Sequence, residues 1–277
     1  MSPARTQSGR TGRVRGWLPL YLLSWRLGLR ALRRRRHLRE AAIRIVVPMD
    51  PSRYVELPHT LRELEASPGE RVLDLASPKL AAVALARSGA KVTSVDQLDR
   101  EVSTWSELAG AEPGVQFEHG DGRDLQFSDG SFDHAYSISV LEHIPGEGDE
   151  LALRELARVV RPAGRVVLTM PYSDSYREDW RDSPVYGDAG REAGTESHFF
   201  ERWYDQHRLD RLLGSAPDLR RVRQSVVSLQ PNLHRLYTRC FPWLIPLGPL
   251  FGLVARERAG PPGDVVRVTL VKGAGGA

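Results

Sequence analysis

One cysteine, Cys240, stands among 277 residues. That excludes a disulfide framework and a cysteine-rich metal site, and it makes a reducing, cytoplasmic setting the expectation. Lysine is nearly as scarce: Lys79, Lys91 and Lys272 stand against 36 arginines, a skew that reads as coding bias rather than function. Long apolar runs are also lacking. The richest, 17–32 (WLPLYLLSWRLGLRAL), is interrupted by Arg26 and Arg30, short of the roughly 20 apolar residues that span a bilayer. A secretory leader is not expected, because the densest basic run, 33–36, follows that stretch instead of preceding it. His198, Asp205 and His207 lack convincing ligand spacing, so no metal is expected. No internal repeat is visible.

Charge is divided unevenly along the chain. Residues 1–45 hold twelve Arg and one acid, Glu40, for a local charge of +11 within a net +4. The remainder therefore carries −7, and the basic character belongs to an arm rather than to the body. No Asn/Asp-Pro-Pro-Tyr motif for base methylation occurs, and with an acidic body a nucleic-acid partner is not favoured.

From residue 71 the pattern alternates between short apolar runs and helical spacing. Strands are predicted at 71–76 (RVLDLA), 91–96 (KVTSVD), 115–118, 132–137 and 165–170 (RVVLTM), with helices at 80–87, 97–109 and 149–160 between them. Pro162 and Gly164 supply the stop signal for the last of these. A further helix is predicted over 199–213, and two late strands at 221–229 and 265–271. Such alternation implies right-handed βαβ units and a parallel sheet.

Ligands in open parallel sheets bind beyond the carboxyl ends of the strands. Those ends here carry Asp74, Ala76 and Ser77 after the first strand, Asp96 and Gln97 after the second, Asp121 and Gly122 after the third, and Ser137 after the fourth. An acid at the second strand end can accept hydrogen bonds from both ribose hydroxyls, which suits NAD and S-adenosylmethionine alike. Asp121, in a Gly-Asp-Gly turn, is placed to accept from an adenine amino group. A dinucleotide site would want Gly-x-Gly-x-x-Gly, whereas the first turn reads Ala76-Ser77-Pro78-Lys79, with no glycine.

The stretches 71–77 (RVLDLAS), 92–96 (VTSVD), 120–144 (GDGRDLQFSDGSFDHAYSISVLEHI) and 156–171 (LARVVRPAGRVVLTMP) resemble the class I S-adenosylmethionine-dependent methyltransferases, in a domain of the methyltransferase type 11 kind. The resemblance implies a Rossmann-like, seven-stranded, mostly parallel α/β sheet with helices on both faces and an antiparallel last strand. It implies S-adenosyl-L-methionine as cofactor, held by Asp74, Ala76, Ser77, Asp96, Gln97, Asp121, Gly122 and Ser137. It departs from the family where Ala76 and Pro78 replace expected glycines; proline fixes φ and removes a donor, so that loop must differ in detail.

Methyl transfer from a sulfonium needs chiefly an acceptor held in line, and a hydroxyl acceptor gains from a base. His143, with Glu142 beside it, is the expected catalytic group, and the reaction is expected at oxygen on a small-molecule, glycan or lipid-linked acceptor. The alternative is a non-catalytic binding protein with a degenerate cofactor loop. The organisation read from the sequence is a basic, partly amphipathic arm over 1–45 and a methyltransferase domain over 46–277. Within the domain, 171–205, with Tyr172, Asp174, Tyr176, His198, Trp203 and Tyr204, reads as a lid, and 230–262 as an apolar insertion. Trp17, Tyr21 and Trp25 share a helical face, which suits docking on the body or a membrane surface. Segments 17–36 and 241–254 together define the membrane-facing option. Oligomeric state is left open.

Overall fold

A computed structural model describes residues 16–35, 37–109, 112–183, 185, 197–229, 239–240, 248–258 and 264–274. Most of the 230–262 insertion, and 241–247 of its apolar stretch, lie outside the described residues.

The chain begins with α1 (Leu18–Arg33), α2 (Leu38–Val46) and α3 (Arg53–Leu64), then alternates through β1 (Arg71–Leu75), α4 (Leu80–Arg87), β2 (Lys91–Asp96), α5 (Asp99–Ala109) and β3 (Val115–His119). After β4 (Phe132–Ile138) comes a 3₁₀ turn, Leu141–His143, followed by α6 (Gly148–Val159) and β5 (Val160–Pro171). A ribbon of β6 (Arg177–Arg181) and β7 (His198–Trp203) precedes α7 (Gln206–Gly214) and β8 (Leu219–Ser228). The described chain closes with α8 (Pro249–Val254), β9 (Arg256–Arg258) and β10 (Val265–Lys272).

β1 and β2 expose only their first residues, as expected for strands covered by helices on both faces. The sheet order is β3-β2-β1-β4-β5-β10-β8-β9. β1 pairs in parallel with β2 and β4, while β10 runs antiparallel to both β5 and β8. The predicted mostly parallel sheet with an antiparallel last strand is therefore present. Its strand count is eight rather than seven, because three-residue β9 adds to the free edge of β8. Strand order reverses between β1 and β4, and the crevice at such a switch point is where an α/β sheet binds ligands.

The helix predicted over 199–213 is instead a strand and a helix. His198–Trp203 pairs antiparallel with β6, its aromatics suited to a pleated surface. Asp205 then caps α7, its side chain accepting from the Arg208 N–H, so the helix starts at Gln206.

The described N-terminal residues pack on the body. Leu20, Leu23, Leu27 and Ala31 of α1 are buried in one core cluster with Leu57, Leu80 and Val83. Trp17 sits edge-on to Tyr54 of α3 at 5.4 Å, a favourable aromatic geometry. Docking on the body thus accounts for one face of α1.

Candidate functional site

A cavity of about 440 Å³ opens at the switch point, within the size range of small-molecule sites. Its floor is the β1–α4 turn, Ala76 to Lys79, with Asp96, Gln97 and Leu98 beyond β2. Ile138, Ser139, Val140 and His143 form the wall after β4, and Trp105 of α5 closes the far side. The roof comes from α2, α3 and the turn between them, through Ile43, Arg44, Met49, Arg53 and Leu57.

Of the expected cofactor residues, Ala76, Ser77, Asp96 and Gln97 line this cavity, as does His143. Asp74, Asp121, Gly122, Ser137 and Glu142 are not among its lining residues. Asp74 lies fully buried behind the floor, accepting from Ser94 Oγ at 2.7 Å and from the Ser77 N–H at 3.1 Å. Burial pushes its carboxyl above the ordinary range, against the pull of Lys79 and these donors. Ser77 Oγ donates to the Leu75 carbonyl and accepts from the Ile138 N–H at 2.8 Å, which ties β1 to β4 across the switch point. Ser137 is buried beside the same Leu75 carbonyl.

Ala76 holds a φ of +50°. The left-handed backbone expected of glycine is kept, with a methyl group in it, at a strain of roughly 1–2 kcal/mol. At the end of β2, Asp96 accepts from Lys79 Nζ at 2.6 Å and from the Leu98 N–H at 2.9 Å. A carboxylate offers about four acceptor sites, so these two donors leave room for hydroxyls. Lys79, on the turn that lacks glycine, thus reaches across to the acid of the next strand.

Asp121 is engaged by its neighbour. Its carboxylate accepts from Arg123 Nε and Nη2, the shorter contact at 2.6 Å, and Arg123 holds its pKa below the usual range. Arg123, not Asp121, reaches the cavity. Gly122 packs under Leu75, whose Cδ1 would lie 2.7 Å from a Cβ there. The Gly-Asp-Gly turn is therefore explained by close approach to the sheet.

His143 Nδ1 lies 2.7 Å from the Phe200 carbonyl oxygen. A carbonyl only accepts, so Nδ1 carries the proton and the lone pair of the neutral ring is on Nε2. Burial lowers the His143 pKa, with Arg53 and Arg181 adding to the effect. The adjacent Glu142 is completely enclosed, and burial raises its pKa well above the carboxylate range.

Sequence reasoning missed the cationic side of the cavity. Arg53 donates to Glu56 at 2.5 Å; burial opposes its charge, but Glu56 and Asp50 outweigh that and raise its pKa. Arg44 lies 4.4 Å over the Trp105 ring, its pKa lowered by burial, and its Nε has no hydrogen-bond partner among the described residues. Only the charge of the N-terminal segment hinted at this roof. None of the described residues of 171–205 is among the cavity lining. The Tyr204 hydroxyl of that segment donates to buried Asp149 at 2.8 Å, and Arg202 and Arg208 pair with the same carboxylate. Among the described residues no group of His, Cys, Asp and Glu could hold a metal.

Comparison with known proteins bears on the same strand-end turns. Residues 73–168 match the family model described as "Methyltransferase domain". A demethylmenaquinone methyltransferase of Clavibacter sepedonicus is 38% identical over 113 residues, 39% of this chain and 44% of the relative. The chain covers less than half the length of the curated relatives it matches. Among solved structures, the [4+2]-cyclase SpnF aligns with a TM-score of 0.54 and 16% identity, over 79% of this chain and 80% of that one. Geranyl diphosphate C-methyltransferase from Streptomyces coelicolor, solved with S-adenosyl-L-homocysteine, aligns at 0.53 and 13%, over 78% and 76%. Residues 73–168 are a methyltransferase domain, and the chain around them has the class I S-adenosylmethionine-dependent methyltransferase fold.

Proposed function

We propose that this chain transfers a methyl group from S-adenosylmethionine to an oxygen of a small-molecule, glycan or lipid-linked acceptor. The observation that carries the reading is His143: it lines the cavity shared with Asp96, and its Nδ1–H bond to Phe200 directs the basic lone pair to Nε2. The residues present fit the cofactor. Asp96 keeps acceptor sites for ribose hydroxyls, Leu98 and Trp105 offer apolar walls for a base, and Arg53 and Lys79 supply cations for a carboxylate. When bound, the cofactor supplies a sulfonium-borne methyl group. Ala76 and Ser77 shape the turn beneath it, while the roof of α2 and α3 excludes water and holds the acceptor. His143 Nε2, 3.9 Å from the enclosed Glu142 carboxyl, takes the hydroxyl proton, and its lowered pKa keeps the ring neutral at pH 7. Demethylmenaquinone and geranyl diphosphate, in the names of a relative and a structural neighbour, support small organic acceptors as the class.

Calorimetry with S-adenosylhomocysteine tests the cofactor half, and absence of heat at millimolar ligand would refute it. His143→Asn is expected to keep that affinity within about threefold while kcat falls by about 10²–10⁴. Equal losses in binding and turnover would assign His143 to holding the loop. A second reading, a binding protein without turnover, is favoured by the Lys79–Asp96 pair and by Ala76 and Pro78 in place of glycines. Methylation of any acceptor removes it.

A further inference from the structure

Helix α1 buries one face on the body and leaves the other apolar face in solvent. Leu18, Leu22, Trp25, Leu29 and Leu32 are all exposed, with Leu18 at 53%. Their spacing places them within about 80° of one another around the helix axis. A soluble domain does not ordinarily leave such a stripe bare.

Two further features make the stripe part of a larger surface. Gly252 of α8 meets Trp17 at the start of α1 so closely that a Cβ would lie 2.7 Å from the indole Cδ1. α8 therefore adjoins the N-terminal end of the stripe, and it exposes Leu250, Leu253 and Val254, with Leu253 at 51%. In the middle of the stripe, Trp25 donates its Nε1–H to the Ile45 carbonyl of α2 at 2.8 Å. This fixes the indole with its ring partly in solvent. Ile43 and Val46, at the same end of α2, are also exposed.

Along α1 the charge has one sign. Arg26, Arg33, Arg34 and Arg35 are exposed, and no acidic residue occurs between 17 and 39. Arg30 is not counted, because Glu112 holds it at 2.7 Å. No helix among the described residues is long and apolar enough to cross a membrane. Leucines and tryptophan flanked by arginines suit a helix lying in the headgroup layer of an anionic bilayer. A second copy of the chain would instead set these arginines against their own like charges.

We propose that the outward faces of α1 and α8 form a docking surface for an anionic phospholipid bilayer. Ile43 belongs both to the exposed end of α2 and to the cavity lining, so docking sets the cavity mouth near the lipid. Delivery of a lipid-borne acceptor through that mouth rests on the proposed function; the surface itself does not.

The test is flotation of the full chain with phosphatidylcholine vesicles containing or lacking about 30% phosphatidylglycerol. The wild type is expected to float with the anionic vesicles and to be released by salt. Leu22→Asp/Leu29→Asp should lower partitioning at least about tenfold. Arg26→Gln/Arg33→Gln should lower it about tenfold on anionic vesicles alone. Unchanged thermal melting and S-adenosylhomocysteine calorimetry would show that both variants are folded. Wild type that stays with the aqueous fraction, or variants that float equally, would overturn the proposal. So would a wild-type dimer in light scattering that Leu22→Asp/Leu29→Asp dissociates, without vesicle binding. Cofactor heat without flotation refutes the docking surface alone, and flotation without cofactor heat refutes the methyl-transfer reading alone.

Discussion

Asp96 in the cavity floor and Asp74 behind it are held by hydrogen bonds of 2.6 to 3.1 Å, whereas the roof above them combines apolar burial of Leu20, Leu23, Leu27 and Leu57 with a buried acid, Glu56, that accepts from Ser139 Oγ at 2.6 Å and Thr169 Oγ1 at 2.9 Å. Hydrogen bonds fix direction as well as position; apolar contact fixes volume only. The floor lies in the segment that matches the methyltransferase family, and the roof, 43–57, lies outside it. The floor therefore suits a ligand common to a family, and the roof, built from residues outside the matching segment, suits one particular to this chain.

The largest effect is expected at the polar staple between α6, β7 and α7, beside the wall that carries His143. Asp149 is fully buried, pairing with Arg202 and Arg208 and accepting from Tyr204. Asp149→Ala leaves two arginines without their shared carboxylate and should lower stability by about 3–5 kcal/mol in urea unfolding. A loss below about 1 kcal/mol would deny that directional bonds hold this side together. Next in size is the split between the two ligands. Asp96→Ala should weaken S-adenosylhomocysteine binding by about ten- to a hundredfold in calorimetry, the loss of charge-assisted hydrogen bonds. Met49→Ala, in the roof, should leave that affinity within about threefold and alter acceptor KM. The reverse pattern would exchange the roles of floor and roof.

A smaller effect separates the two sides by pH. His59 of α3 is buried, and burial together with Arg267 and Arg62 pushes its pKa down to about 2. The unfolded chain takes up this proton as pH falls through about 6.5 while the folded chain does not. Stability is therefore lost below pH 6.5, at up to about 1.4 kcal/mol per pH unit for that proton. His134 and His143, both lowered by burial, act with the same sign, and Glu142, raised by burial, acts with the opposite one. His59→Gln should flatten the difference between urea melts at pH 5 and pH 7. The smallest expected change is at the floor turn. Ala76→Gly relieves the left-handed strain and should change stability by about 1 kcal/mol or less, because glycine also frees the unfolded chain. A destabilisation above 2 kcal/mol would mean that the methyl group is packed rather than strained.

The floor was legible from the sequence because spacing alone places it. Apolar runs at 71–76 and 91–96 had to be strands, and the residues that follow them, Ala76, Ser77, Asp96 and Gln97, had to gather at one sheet edge. Direction was less legible than place. Asp74 faces the sheet interior and Asp121 turns to Arg123, because each finds a donor within a few residues that no pattern of hydrophobicity encodes. The roof was not legible, since Arg44, Met49 and Arg53 reach the cavity only once α1 and α3 have docked on the sheet. The ribbon of β6 and β7 was hidden for a related reason. Its aromatic residues also fit a helical spacing, and only the partner strand decides the period.

The position of β10 bears on the order in which the molecule can be made. Val265–Lys272 lies between β5 and β8, pairing with both along its length. During synthesis, at roughly 5–20 residues per second, β1 to β5 emerge well before the strand that covers the open side of β5. The cavity floor can therefore assemble while β8 still has no place in the sheet. Completion waits for a contact between residues about a hundred positions apart, a slow and entropically demanding closure. Until it happens, Val166 to Met170 present an apolar strand edge to the surroundings, so the nascent chain is most prone to associate in the interval before its last strand arrives.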